Sequence, residues 1–142
     1  MKEYIDYLNA IYQNARMEIL INEQVMEKIK SVDFKKEVKA YLEKHERICS
    51  KIIDIFVDLN KEETDLSPFV KLGKTVISKI NLLKNKNDNE VAKFIMEESS
   101  KNMLLLIEKN RVYSFCEDRI KKLGQELLEI EENQIEQLKK FL

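Results

Sequence analysis

Residues 116–142, which read CEDRIKKLGQELLEIEENQIEQLKKFL, decide the fold of this chain. Residues suited to an interior recur there at alternating spacings of three and four, at Cys116, Ile120, Leu123, Leu127, Ile130, Gln134, Leu138 and Phe141. This spacing lasts for about seven turns and predicts one long helix with a single buried face. The stretch also places Glu131 and Gln134 on or beside that face, three residues apart. A helix that only filled an apolar core would not need polar side chains there.

Three more stretches have the same helical periodicity, so we expect an all-α bundle of four long helices. The predicted helices span Lys2–Lys30, Phe34–Leu59, Asp88–Asn110 and Cys116–Leu142. The short turn Ser31–Asp33 joins the first two, and Asp33 is the expected N-cap of the second. Helices joined by so short a turn must pack side by side. The stripes place Ile52 and Leu127 in the core.

A long connection, Asn60–Asn89, separates the two helix pairs. Ser67 and Pro68 are typical of a helix start, so we expect a short amphipathic helix from Ser67 to Lys84, weakened by Gly73. A connection of this length can cross the bundle and depart from simple up-and-down order. Whether both short turns lie at the same end of the bundle depends on the path of this connection.

Length and composition agree with a single domain over residues 1–142. Two glycines and one proline are typical of an all-α chain. The 25 basic and 26 acidic residues nearly cancel, so the charge favours neither nucleic acid nor a membrane as partner. No apolar run reaches the roughly 18 residues of a membrane span. Cys49 and Cys116, without a motif or a signal peptide, predict reduced thiols and a cytoplasmic location.

Four titratable residues could share one depth in such a bundle: Glu18, His45, Glu98 and Glu131. The first two lie about 20 Å from the first turn, and the last two lie about 25 Å from the second. If both turns share one end, the four side chains can form a metal site in the bundle core. The alternative is that the acidic residues lie at the same depth in the bundle by chance and that His45 is an ordinary core residue.

The order of the helical segments resembles the ferritin-like superfamily, and most of all a bacterial family of small ferritin-like proteins with no assigned activity. The segments that carry the likeness are LNAIYQNARMEI, YLEKHERICSKI, FIMEESSKNMLLLIEK and EIEENQIEQLKKFL. The resemblance covers nearly the whole chain. It implies a four-helix bundle whose long crossover carries a short extra helix, and a di-iron centre built from glutamates and two Glu-x-x-His motifs.

The ligand pattern that the resemblance implies is incomplete in this chain. Ala15 replaces the glutamate of the first helix, and the second helix keeps only His45 of its Glu-x-x-His motif. Glu98 and Glu131 match the pattern, but Gln134 stands where the last histidine is expected. Half of the ligand positions are therefore lost, and we do not expect ferroxidase or peroxidase activity.

No other catalytic motif accompanies these residues, since Ser99 lacks a nucleophile elbow and the chain has no glycine-rich phosphate loop. We favour a non-enzymatic, cofactor-free bundle that acts by association or as a structural protein. A metal-free hydrogen-bonded network is expected in its core, made of His45, Glu98, Asn102, Glu131 and Gln134. One alternative is a metal-binding protein that holds iron or manganese at Glu18, His45, Glu98 and Glu131. The other is a helical adaptor or immunity-type interaction module.

Apolar residues in excess of one core stripe predict a homodimer through helix faces. They lie at Ile11, Leu20, Ile21 and Val25 on the first helix and at Leu104 and Ile107 on the third. A helix with a second apolar strip usually buries it against a neighbour. No other partner is predicted by the sequence.

Overall fold

A computed structural model describes residues 2–59, 67–83 and 86–142, with backbone alone at residues 67–69. These ranges contain α1 Lys2–Val25, α2 Val32–Asp58, α3 Ser67–Asn81, α4 Asp88–Val112 and α5 Asp118–Leu138, with 3-10 turns at Met26–Lys28 and Lys139–Phe141. No strand occurs in the part of the chain so described, so the all-α prediction is confirmed. The start of α3 at Ser67 agrees with the prediction, but α3 ends at Asn81, before the predicted Lys84. The side-chain cap expected at Ser67–Pro68 lies outside the described side chains.

The first turn differs from the sequence prediction at both of its ends. The chain tightens into the 3-10 turn Met26–Lys28 directly after α1, which is therefore shorter than expected. The Ser31 hydroxyl caps α2 by accepting a 3.3 Å hydrogen bond from the backbone N–H of Phe34. The prediction that Asp33 is the cap is wrong, because Asp33 already lies in the first helical turn, where a residue cannot serve as N-cap.

Hydrogen bonds between helix ends show the direction of each helix. Asp88, which begins α4, accepts 2.8 Å hydrogen bonds from the backbone N–H groups of Lys30 and Ser31. Arg119, in the first turn of α5, donates a 3.4 Å hydrogen bond to Asp58 at the end of α2. The α1–α2 turn and the α4–α5 turn therefore lie at opposite ends of the molecule. The condition that both turns share one end, under which the four candidate ligands were expected at one depth, is not met, because the chain between α2 and α4 returns along the length of the helices.

The core lies where α1 packs against α2, α4 and α5, and α5 packs against α2 and α4. It consists of two apolar clusters, one at each end of the molecule. The first cluster contains Ile52 and Leu127, which are fully buried as predicted. The second contains Ile21, Phe34 and Ile95. Buried polar side chains separate the two clusters along the helices.

Helix α3 covers part of the outer surface of α1. Val76 and Ile80 of α3 join the second apolar cluster. Gly73 permits close contact, since a Cβ there would lie 3.1 Å from Leu20 Cδ2. Three residues expected in a dimer contact are buried within the chain itself, Ile11 in the first apolar cluster and Ile21 and Val25 in the second. Among the described helices, none combines the length and apolar character that a bilayer span requires.

Candidate functional site

A layer of buried polar side chains crosses the molecule between the two apolar clusters. We call it the polar layer, and its members are Glu18, Asn22, His45, Glu98, Ser99, Glu131 and Gln134. Glu98 retains 8% exposure and the other six have none. All four residues predicted as candidate ligands therefore lie in this layer, on α1, α2, α4 and α5.

A chain of hydrogen bonds, the amide relay, connects three of these helices. His45 Nε2 lies 3.3 Å from Gln134 Oε1, Gln134 Nε2 donates to Asn22 Oδ1 at 2.7 Å, and Asn22 Nδ2 donates to the backbone oxygen of Glu18 at 2.8 Å. A backbone carbonyl only accepts, so the amide of Asn22 has one allowed orientation. The orientation of Asn22 fixes the orientation of the Gln134 amide. The carbonyl oxygen of Gln134 then faces His45 and can only accept, so the proton of His45 must lie on Nε2.

The His45 ring is neutral in this position. Burial lowers its pKa to about 4, with a further decrease from Lys44 and an opposing effect of the hydrogen bond to Gln134. Because Nε2 carries the proton, Nδ1 presents a lone pair, and this atom is buried without a hydrogen-bond partner. The histidine thus serves as the terminal donor of the amide relay rather than as a charged group.

Glu98 takes part in a separate set of contacts at the edge of the polar layer. Its carboxylate accepts hydrogen bonds from Lys79 of α3 at 3.2 Å and from Lys101 at 2.7 Å. Burial alone would raise the pKa of Glu98, but the two lysines outweigh it and hold that pKa below its usual value. Glu98 is therefore an ionised member of an ion-pair cluster and makes no contact with the amide relay.

Asn102 also bonds outside the predicted network. Its Nδ2 donates to the backbone oxygen of Asn14 at 3.0 Å and to Asn14 Oδ1 at 3.1 Å, while Asn14 Nδ2 donates to the backbone oxygen of Asn102 at 2.9 Å. This reciprocal pair links α1 to α4. The expected network is therefore formed only between His45 and Gln134, because Glu98 and Asn102 find closer partners.

Glu18 and Glu131 form a buried carboxyl pair. Glu18 Oε2 accepts a 3.2 Å hydrogen bond from Ser99, but Glu18 Oε1 and both oxygens of Glu131 are buried without a donor. Burial raises the pKa of Glu18 to about 7, against the opposing effect of hydrogen bonds from Ser99 and Asn102. Burial also raises the pKa of Glu131, and repulsion by Glu18 raises it further. A buried carboxylate without a donor is unfavourable, so this pair holds either protons or a cation.

The donor set does not fit a di-iron centre. Such a centre takes carboxylates from four helices together with two imidazoles. Here lysines occupy the carboxylate of Glu98, Gln134 stands in place of the second imidazole, and Nδ1 of His45 is the one ring nitrogen left unpaired. Across residues 2–59, 67–83 and 86–142, no group of three or more His, Cys, Asp or Glu side chains is placed to hold a metal ion. The carboxyl pair alone offers unpaired oxygens.

Sequence reasoning missed several of these partners. Ser99 was considered only as a nucleophile, although it follows Glu98 directly and faces Glu18. Lys101 could have been found, because residues three apart on a helix are neighbours. The sequence does not indicate Lys79 as a partner of Glu98, because this contact depends on where α3 packs.

A further polar contact, which is partly buried, lies near the α4–α5 turn. Tyr7 Oη donates to Asn110 Oδ1 at 2.6 Å, and Asn110 Nδ2 donates to the backbone oxygen of Gly124 at 3.1 Å. Burial raises the pKa of Tyr7 to about 12, with a smaller effect of Cys116. A Cβ on residue 124 would collide with Tyr7 Oη and Asn110 Oδ1, so this contact requires glycine.

Neither protein-family models, nor curated proteins, nor solved structures match this chain. The likeness to ferritin-like proteins therefore stands on the helical segments and ligand positions described above. Its consequences for function are proposals.

Proposed function

We propose that this chain is a ferritin-like four-helix bundle that acts by association and not by di-iron catalysis. Helices α1, α2, α4 and α5 would form the bundle, and α3 would be the short helix of its crossover. The ring of contacts among those four helices and the opposite location of the two turns support this arrangement.

The amide relay carries the proposal. It ties the one histidine of the chain to Gln134, at the position where the resemblance expects a second histidine. The ion pairs of Glu98 remove a further carboxylate. His45 and Glu98, which a di-iron site would need, are thus used to join helices, which is a structural role.

The outer surface of α4 and of the turn that follows it supports association between copies of the chain. Leu104, Val112 and Phe115 are 64%, 56% and 64% exposed, and we call them the α4 strip. A monomer gains nothing from apolar side chains in water at these positions. In a homodimer with two-fold symmetry, each α4 strip would pack against its copy.

Sedimentation equilibrium tests this association. We expect a dimer whose mass falls to that of a monomer in Leu104→Lys. Leu82→Lys is the control, because Leu82 is 77% exposed and lies outside the α4 strip. A wild-type monomer at high protein concentration, or equal dissociation in both variants, would contradict the dimer.

A second candidate function is the binding of one hard divalent cation by the carboxyl pair. The three unpaired buried oxygens of Glu18 and Glu131 favour it, since Mn²⁺ and Fe²⁺ accept carboxylate ligands. A bound cation would replace the two protons and neutralise the pair. Titration calorimetry with Mn²⁺ should then give one site per chain that is lost in Glu131→Gln and kept in Glu132→Gln, whose side chain is exposed. Absence of binding would leave the protonated pair as the correct description.

A further inference from the structure

A cleft runs between α3 and α4 with α1 as its floor. We call it the α3–α4 cleft, and its apolar lining includes Ala10, Met17, Ile21, Leu72, Val76 and Leu105. Leu72 on α3 and Leu105 on α4 are 57% and 53% exposed. Two large apolar side chains on opposite sides of one cleft provide a favourable environment for an apolar ligand.

One end of the α3–α4 cleft carries an excess of positive charge. Lys79 and Lys101 lie there beside Glu98, so two ammonium groups share one carboxylate. The Lys101 side chain is 65% exposed and each ammonium group has three donors. This end can therefore bind a second anionic oxygen group, and the apolar lining continues from it towards Ala10.

The dimensions of the α3–α4 cleft select a single extended chain. From Ala10 to Ile21 the floor is about 16 Å long. Its two overlapping parts have cavity volumes of about 150 and 240 Å³, below the range of about 300–1,000 Å³ for most small-molecule sites, so only a narrow ligand fits. A peptide helix about 10 Å across would fill roughly 1,200 Å³ over the same length, so a helical partner is too wide.

We propose that the α3–α4 cleft binds the anion of a carboxylic acid with an unbranched acyl chain. The chain would lie along Met17, Leu72 and Leu105, and the carboxylate would accept hydrogen bonds from Lys79 and Lys101. The cleft meets the polar layer at Glu98, and the inference does not depend on the proposed function.

Calorimetric titration of the full chain with decanoate, below its micelle concentration, tests the proposal. Leu105→Gln should weaken binding by about tenfold or more. Leu104→Gln is the matched control, because Leu104 is the neighbouring residue, is 64% exposed and does not line the cleft. Lys101→Gln should weaken binding of decanoate and leave that of 1-decanol unchanged, since the alcohol lacks the charge that Lys101 recognises.

Circular dichroism and urea unfolding would verify that the three variants are folded. Failure of decanoate to bind, or equal weakening by Leu105→Gln and Leu104→Gln, would overturn the proposal. It would also be overturned if Leu105→Gln, but not Leu104→Gln, lowered the mass in sedimentation equilibrium, because the cleft would then hold a second copy of the chain.

Discussion

Gln134 and Asn22 are joined across α5 and α1 by a 2.7 Å hydrogen bond from Gln134 Nε2 to Asn22 Oδ1. The same amide presents its oxygen to His45 Nε2 at 3.3 Å. Gln134 therefore supplies a donor on one side and an acceptor on the other, in a place without access to water. An apolar residue there would leave both neighbours unpaired. This explains a polar side chain on the buried stripe of α5 without any need for a metal.

Replacement of Gln134 by leucine should lower the free energy of unfolding by about 1–3 kcal/mol, because Asn22 Oδ1 and His45 Nε2 would lose their partners. Urea unfolding at neutral pH measures the change. Gln137→Leu is the control, since Gln137 is exposed on the same helix and the same chemical change is made there. Equal stability of the two variants would show that the amide relay is not important for folding.

Stability should decrease as the pH rises from about 4.5 through the raised pKa values of the carboxyl pair. Burial raises the pKa of Glu18 to about 7 and that of Glu131 well above 4.5, so the folded chain holds protons that the unfolded chain releases. The lowered pKa of His45, about 4 against 6.5, acts oppositely, because the unfolded chain takes up a proton below pH 6.5. Above pH 6.5 the histidine contributes nothing, and each carboxyl group that is still protonated in the folded chain should reduce stability by about 1.4 kcal/mol per pH unit.

Glu131→Gln should flatten that pH dependence and be more stable than the wild type at about pH 8. Urea unfolding in the presence of EDTA measures this without interference from a bound cation. Glu132→Gln, which changes an exposed carboxylate one residue away, should keep the wild-type slope. If Glu131→Gln were as steep as the wild type, or less stable at the higher pH, the carboxyl pair would not be protonated as described.

Two glycine substitutions should differ in their effect on the free energy of unfolding. Gly124→Ala should destabilise by about 1–3 kcal/mol, because the new methyl group would break the hydrogen bond between Tyr7 and Asn110. Gly73→Ala meets only the flexible end of Leu20 at 3.1 Å, so the gain in helix propensity, about 1 kcal/mol, should offset the contact. Thermal unfolding of both variants tests this contrast, and equal destabilisation would contradict it.

Truncation of Leu127 or Ile52 to alanine should cost about 2–5 kcal/mol through loss of packing and formation of a cavity. Both side chains are fully buried in the first apolar cluster. Leu104→Ala is the control, because it removes the same apolar volume at a position that is 64% exposed. It should change the free energy of unfolding by less than about 0.5 kcal/mol at low protein concentration. A loss under about 1 kcal/mol at Leu127 would mean that the buried stripe is assigned wrongly.

Helix number and core residues followed from the sequence because periodicity reports which side of a helix is buried. The cap at Ser31 did not, since Ser31 and Asp33 are both good N-cap residues and only the backbone decides between them. The sequence also left the location of the two turns open. This location depends on the path of the long connection, and no spacing of residues encodes that path.

The polar layer could be predicted in part, because helical periodicity shows which polar residues face inward. Glu18, His45 and Glu131 lie on inward stripes, and this is visible in the sequence. Their partners are chosen by packing between distant segments, such as the 89 residues that separate His45 from Gln134. The contact between Glu98 and Lys79 likewise required knowledge of where α3 lies on α1.

The central claim is that the polar layer joins helices and is not a di-iron centre. Anaerobic loading with Fe²⁺, desalting and elemental analysis test it most directly, followed by exposure to oxygen with optical detection of ferric iron. We expect no more than one metal ion per chain and no oxygen-dependent oxidation of iron, in the wild type and in His45→Ala alike. Two iron ions per chain, with an oxidation that His45→Ala abolishes, would contradict the claim.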